Sequence, residues 1–141
     1  MYKTLKEILD PIAAFVLLLF LWPLVLVLII LGGLFKQERL GLGARPFVLW
    51  KIRTMKAITT GVELEKDRIS SLGNFLRKIS LDELPQLINI LKGEMSFIGP
   101  RPPSLYHPYK INEYPKEFSA RFLIKPGITG LAQISGRTNI T

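Results

Sequence analysis

Cysteine is absent from the 141 residues, and histidine occurs once, at position 107. Disulfides and cysteine-ligated metal sites are therefore excluded, and a histidine-rich metal site cannot be built from one imidazole. With prolines nearby, His107 reads as a surface loop residue. No internal repeat is present, and the length suits one domain with a modest core. Charge is also missing from one long interval, the 25 residues between Asp10 and Lys36, which are rich in Leu, Val, Ile and Phe. About 20 apolar residues span a bilayer as a helix, so this stretch belongs in a membrane. A cleavable signal peptide is disfavoured, because the run is too long and no clear small-residue cleavage pattern follows it.

Pro23 stands almost at the centre of that run. It removes one helix hydrogen bond and bends the helix, which a re-entrant segment can use. Lys3 and Lys6 precede the segment while Lys36 and Arg39 follow it, so the positive-inside rule favours neither end, as suits a helix that enters and leaves by one face. Acids and bases cancel within residues 1–10, so the net charge of +8 resides in residues 36–141. A basic domain on a membrane segment is drawn to anionic headgroups and phosphate-bearing substrates. Nucleic acid is not expected as a partner, since no recognised motif or basic–aromatic cluster accompanies the charge.

The chain is organised around residues 80–103. Leu84, Leu87, Ile88 and Leu91 have the spacing of one buried helical stripe, and Gly93 after Lys92 suits the helix C-cap. Pro85 is best tolerated in the first turn, which puts Asp82 and Glu83 at or just before the N-terminus, where the helix dipole favours ionised carboxylates and can hold a phosphate or a metal–phosphate complex. On spacing alone a commoner explanation stands beside this one: Ser80 and Glu83 fit a capping box. Capping leaves Asp82 unexplained, as it does the apolar run 95–98 and Gly99-Pro100-Arg101-Pro102-Pro103 that follows. Prolines on both sides of Arg101 fix the local backbone and aim its guanidinium, a good bidentate partner for phosphate, though a plain surface turn uses the same prolines.

Elsewhere, residues 36–46 read as a connecting turn. Residues 47–53 alternate as a strand, with Val48, Trp50 and Ile52 on one face and Lys51 and Arg53 on the other, either a solvated face or a phosphate-binding pair. Residues 56–70 read as a polar loop with local helix. Ser71 is a candidate cap for a helix to about Ile79 that buries Leu72, Phe75, Leu76 and Ile79, with Arg77 on its other side. Aromatic residues between 104 and 124 suit a membrane interface or a short helix packed on the domain. Residues 125–127 signal a turn, and 128–134 a short strand.

Ser-Leu-Asp-Glu-Leu-Pro-Gln-Leu at 80–87, Lys-Gly-Glu-Met-Ser-Phe-Ile-Gly-Pro-Arg-Pro at 92–102 and Lys-Pro-Gly-Ile-Thr-Gly-Leu-Ala-Gln at 125–133 resemble the bacterial sugar transferase family. Its members are monotopic phosphoglycosyl transferases, which move a sugar 1-phosphate from a nucleotide diphosphate sugar, commonly a UDP-sugar, onto a membrane polyprenyl phosphate such as undecaprenyl phosphate. This reaction initiates surface glycan or exopolysaccharide synthesis. The resemblance covers nearly the whole chain. Lys-Ile-Arg-Thr-Met at 51–55 is similar to an element lining the family's active site, and Gly136-Arg137 to one associated with the substrate phosphate. There are departures: Trp22 replaces the serine usual before the proline, the stretch near Gly32 and Gly33 is shortened, and family members continue for several tens of residues beyond the point where this chain ends.

The resemblance implies an α+β architecture. A proline-broken re-entrant membrane helix, residues 1–36 with its break at Pro23, precedes a C-terminally short transferase domain, residues 37–141, with a small sheet and amphipathic interfacial helices. It places the chain at the bacterial inner membrane with the domain on the cytoplasmic face, among membrane lipids, and leaves a homodimer open. Asp82 is implied as nucleophile through a covalent aspartyl-phosphosugar, Glu83 as ligand of Mg2+, and Lys51, Arg53, Arg77, Arg101 and Arg137 as phosphate-binding cations. The alternative is an inactive or truncated membrane-anchored scaffold.

Overall fold

The computed structural model describes residues 2–56, 68–104 and 119–134. Helix α1 (Tyr2–Gly32) takes up most of the uncharged run and passes Pro11 and Pro23 as one element, so the break expected at Pro23 does not divide it here. The chain then forms an antiparallel hairpin of β1 (Leu34–Leu40) and β2 (Pro46–Ile52), paired from Leu34 with Ile52 to Leu40 with Pro46. A short 3-10 turn, Leu42–Ala44, closes it. Next come α2 (Ser71–Lys78), a 3-10 helix (Leu81–Gln86) and α3 (Leu87–Leu91). Strand β3 (Ser96–Ile98) pairs in parallel with β4 (Gly127–Thr129), and α4 (Leu131–Ile134) follows. The architecture is α+β, as expected: a long apolar helix, two small sheets and short helices.

Two apolar clusters hold these elements together. In the first, Ala14 and Leu18 of α1 meet Phe47 and Leu49 of β2, Leu87 and Ile90 of α3, and Met95. In the second, Leu28 and Ile29 of α1 meet Ile52, Leu76 and Leu81. Leu84 belongs to both clusters. Helix α1 is thus packed on the domain by both of its halves. Near its start, Asp10 accepts a hydrogen bond from Ser96, and Lys6 donates to the Ile98 carbonyl. At its end, the Arg53 amide donates to the Gly33 carbonyl at 2.8 Å. Its outer face carries exposed large side chains, among them Phe15, Phe20 and Ile30.

Several expectations are corrected. Residues 36–46 are not simply a turn, because residues 34–40 are paired along their length with β2. On β2 the core takes Phe47 and Leu49, whereas Val48 is exposed, because α1 and α3 cover the odd-numbered face and only Ile52 reaches the second cluster. Helix α2 is capped by Ser70, whose Oγ accepts from the Gly73 amide at 2.9 Å. It buries Leu76 and leaves Leu72, Phe75 and Ile79 exposed. The buried line of α3 runs through Leu87 and Ile90, with Leu91 outward, since the turn before it is 3-10 and shifts the helical phase. Residues 128–134 divide between β4 and α4. Gly93 ends α3 in the left-handed region, φ 74°, as its place after Lys92 predicts. His107 and Arg137 lie outside the described residues, as do the 57–67 part of the predicted loop and most of the aromatic stretch after 104.

Candidate functional site

The Asp82-Glu83 pair sits in the 3-10 helix Leu81–Gln86. With three residues per turn, Leu81 and Leu84 fall on one face, and both pack into the clusters below. Pro85 falls in the second turn of this helix, where it gives no amide hydrogen to the ladder but fixes its own φ, and it is buried. The result is a rigid platform. Each acid is only 6% exposed. The capping box is not formed: Ser80 takes φ 60°, ψ 20° and makes no side-chain cap bond, while the Glu83 amide donates to the Ser80 carbonyl at 3.2 Å.

The Glu83 carboxylate reaches across to β2 and to the proline-rich turn. Its Oε1 lies 3.8 Å from Lys51 Nζ and 4.0 Å from Arg101 Nη1. Asp82 Oδ1 is buried with no hydrogen-bond partner among the described residues. A buried carboxylate oxygen left unpaired is costly, and such groups call for a partner that arrives from outside. Arg77, on α2, donates from Nε to Thr54 Oγ1 at 2.8 Å. Burial pushes the Lys51 ammonium below the ordinary lysine value; Glu83 pulls it back up, and Arg101 adds to the lowering.

These side chains line one cleft of about 620 Å³. Seven cations border it, Arg39, Lys51, Arg53, Lys56, Arg68, Arg77 and Arg101, against the two carboxylates, an excess of five positive charges. Such a cleft suits a multiply charged anion, since fixed cations in a low-dielectric recess lower the free energy of phosphate. The structure therefore brings together Lys51, Arg53, Arg77, Asp82, Glu83 and Arg101, which the family resemblance implied as one site. A smaller cavity of about 200 Å³ lies at the start of α1, among Pro11, Leu42, Met95, Ile98 and Ile124. Lys6, Glu7, Asp10, Ser96 and Lys125 complete its lining, so it carries no excess of cations comparable to that of the cleft.

Sequence reasoning missed part of the wall. Phe35, Gln37 and Arg39 border the cleft from β1, and Lys56 and Arg68 from the stretch to which no chemistry was assigned, whereas Thr54 lies in the 51–55 element that the resemblance had already placed at the site. Recognising β1 would have placed residues 35, 37 and 39 on one face by the alternation of strand side chains.

A metal ion is tested by the donor set. Among the described residues no group of three or more His, Cys, Asp or Glu could hold an ion unaided. The adjacent carboxylates, one with an unpaired buried oxygen, fit instead a hard cation that takes one or two protein ligands and completes its shell with water and substrate phosphate.

The model of the family described as Bacterial sugar transferase matches residues 1–141. A UDP-glucose:undecaprenyl-phosphate glucose-1-phosphate transferase of Caulobacter vibrioides is 39% identical over 93% of this chain and 54% of its own length. A protein of the same name in Escherichia coli is 43% identical over 73% of this chain and 23% of its length. An uncharacterised sugar transferase of Bacillus subtilis is 41% identical over 97% of this chain and 71% of its length. The chain thus spans about half, or less, of the glucose-1-phosphate transferases it matches. With the acidic pair, the proline-flanked arginine and the basic cleft found together within the matched residues, the chain belongs to the bacterial sugar transferase family.

Proposed function

We propose that the chain transfers a sugar 1-phosphate from a nucleotide diphosphate sugar, of the UDP class named for its relatives, to a membrane polyprenyl phosphate. The observation that carries the reading is the unpaired, buried Asp82 oxygen on the floor of a cleft with five excess positive charges. In this reading the donor's diphosphate lies among Lys51, Arg77 and Arg101. An Asp82 carboxylate oxygen attacks the phosphorus next to the sugar, the bond to the nucleoside phosphate breaks, and nucleoside monophosphate leaves with the electron pair. A phosphosugar is left on Asp82 as an acyl phosphate. An oxygen of polyprenyl phosphate then attacks the same phosphorus, and the Asp82 carboxylate is regenerated. Neither step needs a proton from the protein.

Glu83, with Asp82 beside it, would hold Mg2+, which supplies charge neutralisation on the diphosphate. The remaining work falls to the chain's own cations. Lys51 and Arg101 flank Glu83 and stabilise the charge gathering on the equatorial phosphate oxygens and the leaving group. Arg77 is oriented by Thr54. Arg53 enlarges the positive field at the mouth, and Arg137 is proposed as a further phosphate ligand on resemblance alone.

Membrane attachment through α1 belongs to the same proposal. Residues Thr4–Gly32 are long and apolar enough to cross a bilayer. Both halves of α1 are fastened to the domain, and this supports a monotopic arrangement in which the helix does not leave the domain behind. The domain then rests on the cytoplasmic face, where nucleotide sugars are found.

The test is release of nucleoside monophosphate from a panel of UDP-sugars with Mg2+ and polyprenyl phosphate, by the chain and by Asp82→Asn. Release is expected from the parent alone, with the variant down by on the order of 10³ or more. Labelled phosphosugar should stay on the protein when acceptor is withheld. Equal release by Asp82→Asn would overturn the nucleophile, and no release from any donor by folded protein would favour a non-catalytic membrane scaffold.

A further inference from the structure

The turn at residues 99–103 contains three prolines, Pro100, Pro102 and Pro103, none of which has an amide hydrogen to give. It must therefore be tethered largely through its carbonyls, by donors from elsewhere. On its first side, the Gly127 amide donates to the Pro100 carbonyl at 3.0 Å, and the Gly99 amide donates to the Thr129 carbonyl at 2.9 Å. This crossing is so close that a Cβ on Gly99 would fall on the Lys125 carbonyl. On its second side the donors come from β1. The Leu40 amide binds the Pro103 carbonyl at 3.1 Å, and Arg39 Nη1 binds the Pro102 carbonyl at 3.2 Å.

Pro102 directly follows Arg101, so the bond from Arg39 holds the Pro102–Pro103 peptide one residue beyond Arg101, and the two prolines carry that restraint back to the arginine's backbone. Arg39 is itself held in place. Its Nη2 donates to Gln37 Oε1 at 2.7 Å, from the residue two positions back on the same face of β1. Its Nε is buried without a partner among the described residues. We infer that Arg39 is a positioning residue of this site, a strut between β1 and the proline-rich turn that aims Arg101 at Glu83 and at the donor's phosphate. The assignment rests on the transferase reading for its phosphate, though not for the strut.

Burial and then the nearby Arg101 hold the Arg39 guanidinium below its ordinary value, although an arginine remains charged. Two cations so close repel each other. The strut keeps Arg101 in this place despite that repulsion, and an anion arriving between them relieves it. A lysine at position 39 would preserve the charge but lose the planar fork that reaches Pro102 and Gln37 at once.

Hydrogen exchange of the Leu40 and Gly127 amides, which bracket the turn, is measured on the full chain in lipid for the parent, Arg39→Met, Arg39→Lys and Arg101→Ala. Both Arg39 variants should speed exchange at Leu40 roughly tenfold, with a smaller rise at Gly127, while Arg101→Ala leaves both amides as in the parent. In turnover, Arg39→Met should lower kcat/KM for the sugar donor by roughly tenfold in the parent background and less than about twofold in Arg101→Ala, because the two act through one group. Parent-like exchange at Leu40 in either variant overturns the strut. Full recovery of kcat/KM by Arg39→Lys, or losses that multiply in the double variant, overturns the positioning role and makes Arg39 an independent phosphate ligand. Exchange is read without turnover, so a parent chain inactive on every donor sinks the transferase reading while the Leu40 result still decides the strut.

Discussion

Lys51 and Arg53 stand two residues apart at the end of β2 and border the same cleft, yet the fold treats them differently. The Lys51 side chain is 17% exposed, lies 3.8 Å from Glu83 and has its pKa lowered by burial. Arg53 is exposed at the mouth. The same division runs through the whole site. Asp82 and Glu83 share a 3-10 helix with Leu81 and Leu84, and Lys51 shares β2 with Leu49, so the backbone that carries this floor is anchored in the apolar clusters. Arg53 and Lys56 form a rim in solvent. A floor of this kind can stabilise charge as it develops, because its groups need no rearrangement when the reaction begins. A rim can gather the substrate, and its fields are screened by salt.

The largest effect belongs to the floor. Lys51→Met should lower kcat by on the order of 10², since it removes the buried cation beside Glu83. The pH dependence is the sharper test. Burial disfavours the charged form, so Lys51 loses its proton at lower pH than an exposed lysine, and kcat should decline on an alkaline limb below the ordinary lysine range. Lys51→Arg should shift that limb upward. Stability runs the other way. The cost of burying the cation is present in full below the folded pKa and is relieved as pH rises from there towards the ordinary value of 10.5, because the unfolded chain then binds more protons. A limb that stays in place in Lys51→Arg would remove Lys51 from the floor's chemistry.

Asn89 joins the floor to the strand beside it and should show the next largest effect. It is 0% exposed; its Nδ2 donates to the Val48 carbonyl at 2.6 Å and to Glu94 Oε2 at 2.7 Å, and its Oδ1 accepts from the Trp50 amide at 3.2 Å. These bonds fasten β2 to α3, and thereby set Lys51 against the acids of the preceding turn. Asn89→Ala would leave two backbone groups and a carboxylate short of a partner, and should lower the unfolding free energy by about 3 kcal/mol, read from the denaturant midpoint. A loss below about 0.5 kcal/mol, the scatter of ordinary surface changes, would separate the floor's rigidity from this side chain.

How much of this was legible beforehand follows the same line between local and tertiary information. Local pattern marked Asp82, Glu83, Arg101 and Lys51, as adjacent acids before a proline, an arginine between prolines and paired cations on one strand face, but each pattern had an ordinary explanation beside it, and the resemblance to the family assigned the roles. Gly93 was legible because a left-handed helix end favours glycine at that place. The capping box was misread since Ser80 and Glu83 satisfy its spacing, and only the backbone at Ser80, turned to φ 60°, removes the cap. Strand β1 was missed because its residues 36–39 are all polar or charged; they become a strand by pairing with β2, a partner that no local pattern announces. Arg39 was lost with it. The inward face of β2 was misassigned for a related reason, since the choice between Leu49 and Val48 is made by α1 and α3 covering one side.

The smallest effect belongs to the rim, and there the comparison can fail most informatively. Arg53 is exposed, and the structure gives it no ion pair among the described residues. Its cation adds to the field at the mouth without touching the acids. Arg53→Ala should therefore raise KM for the sugar donor by about two- to fivefold and leave kcat unchanged, with the difference fading as ionic strength rises and the screening length falls below the width of the cleft. A fixed phosphate ligand would behave otherwise: its loss would fall on kcat and survive at high salt, because a desolvated contact is poorly screened. If Arg53→Ala lowers kcat by as much as Lys51→Met, the two residues form one cation pair as their alternation on the strand suggests, and the mouth must close around bound donor to bring Arg53 onto the floor.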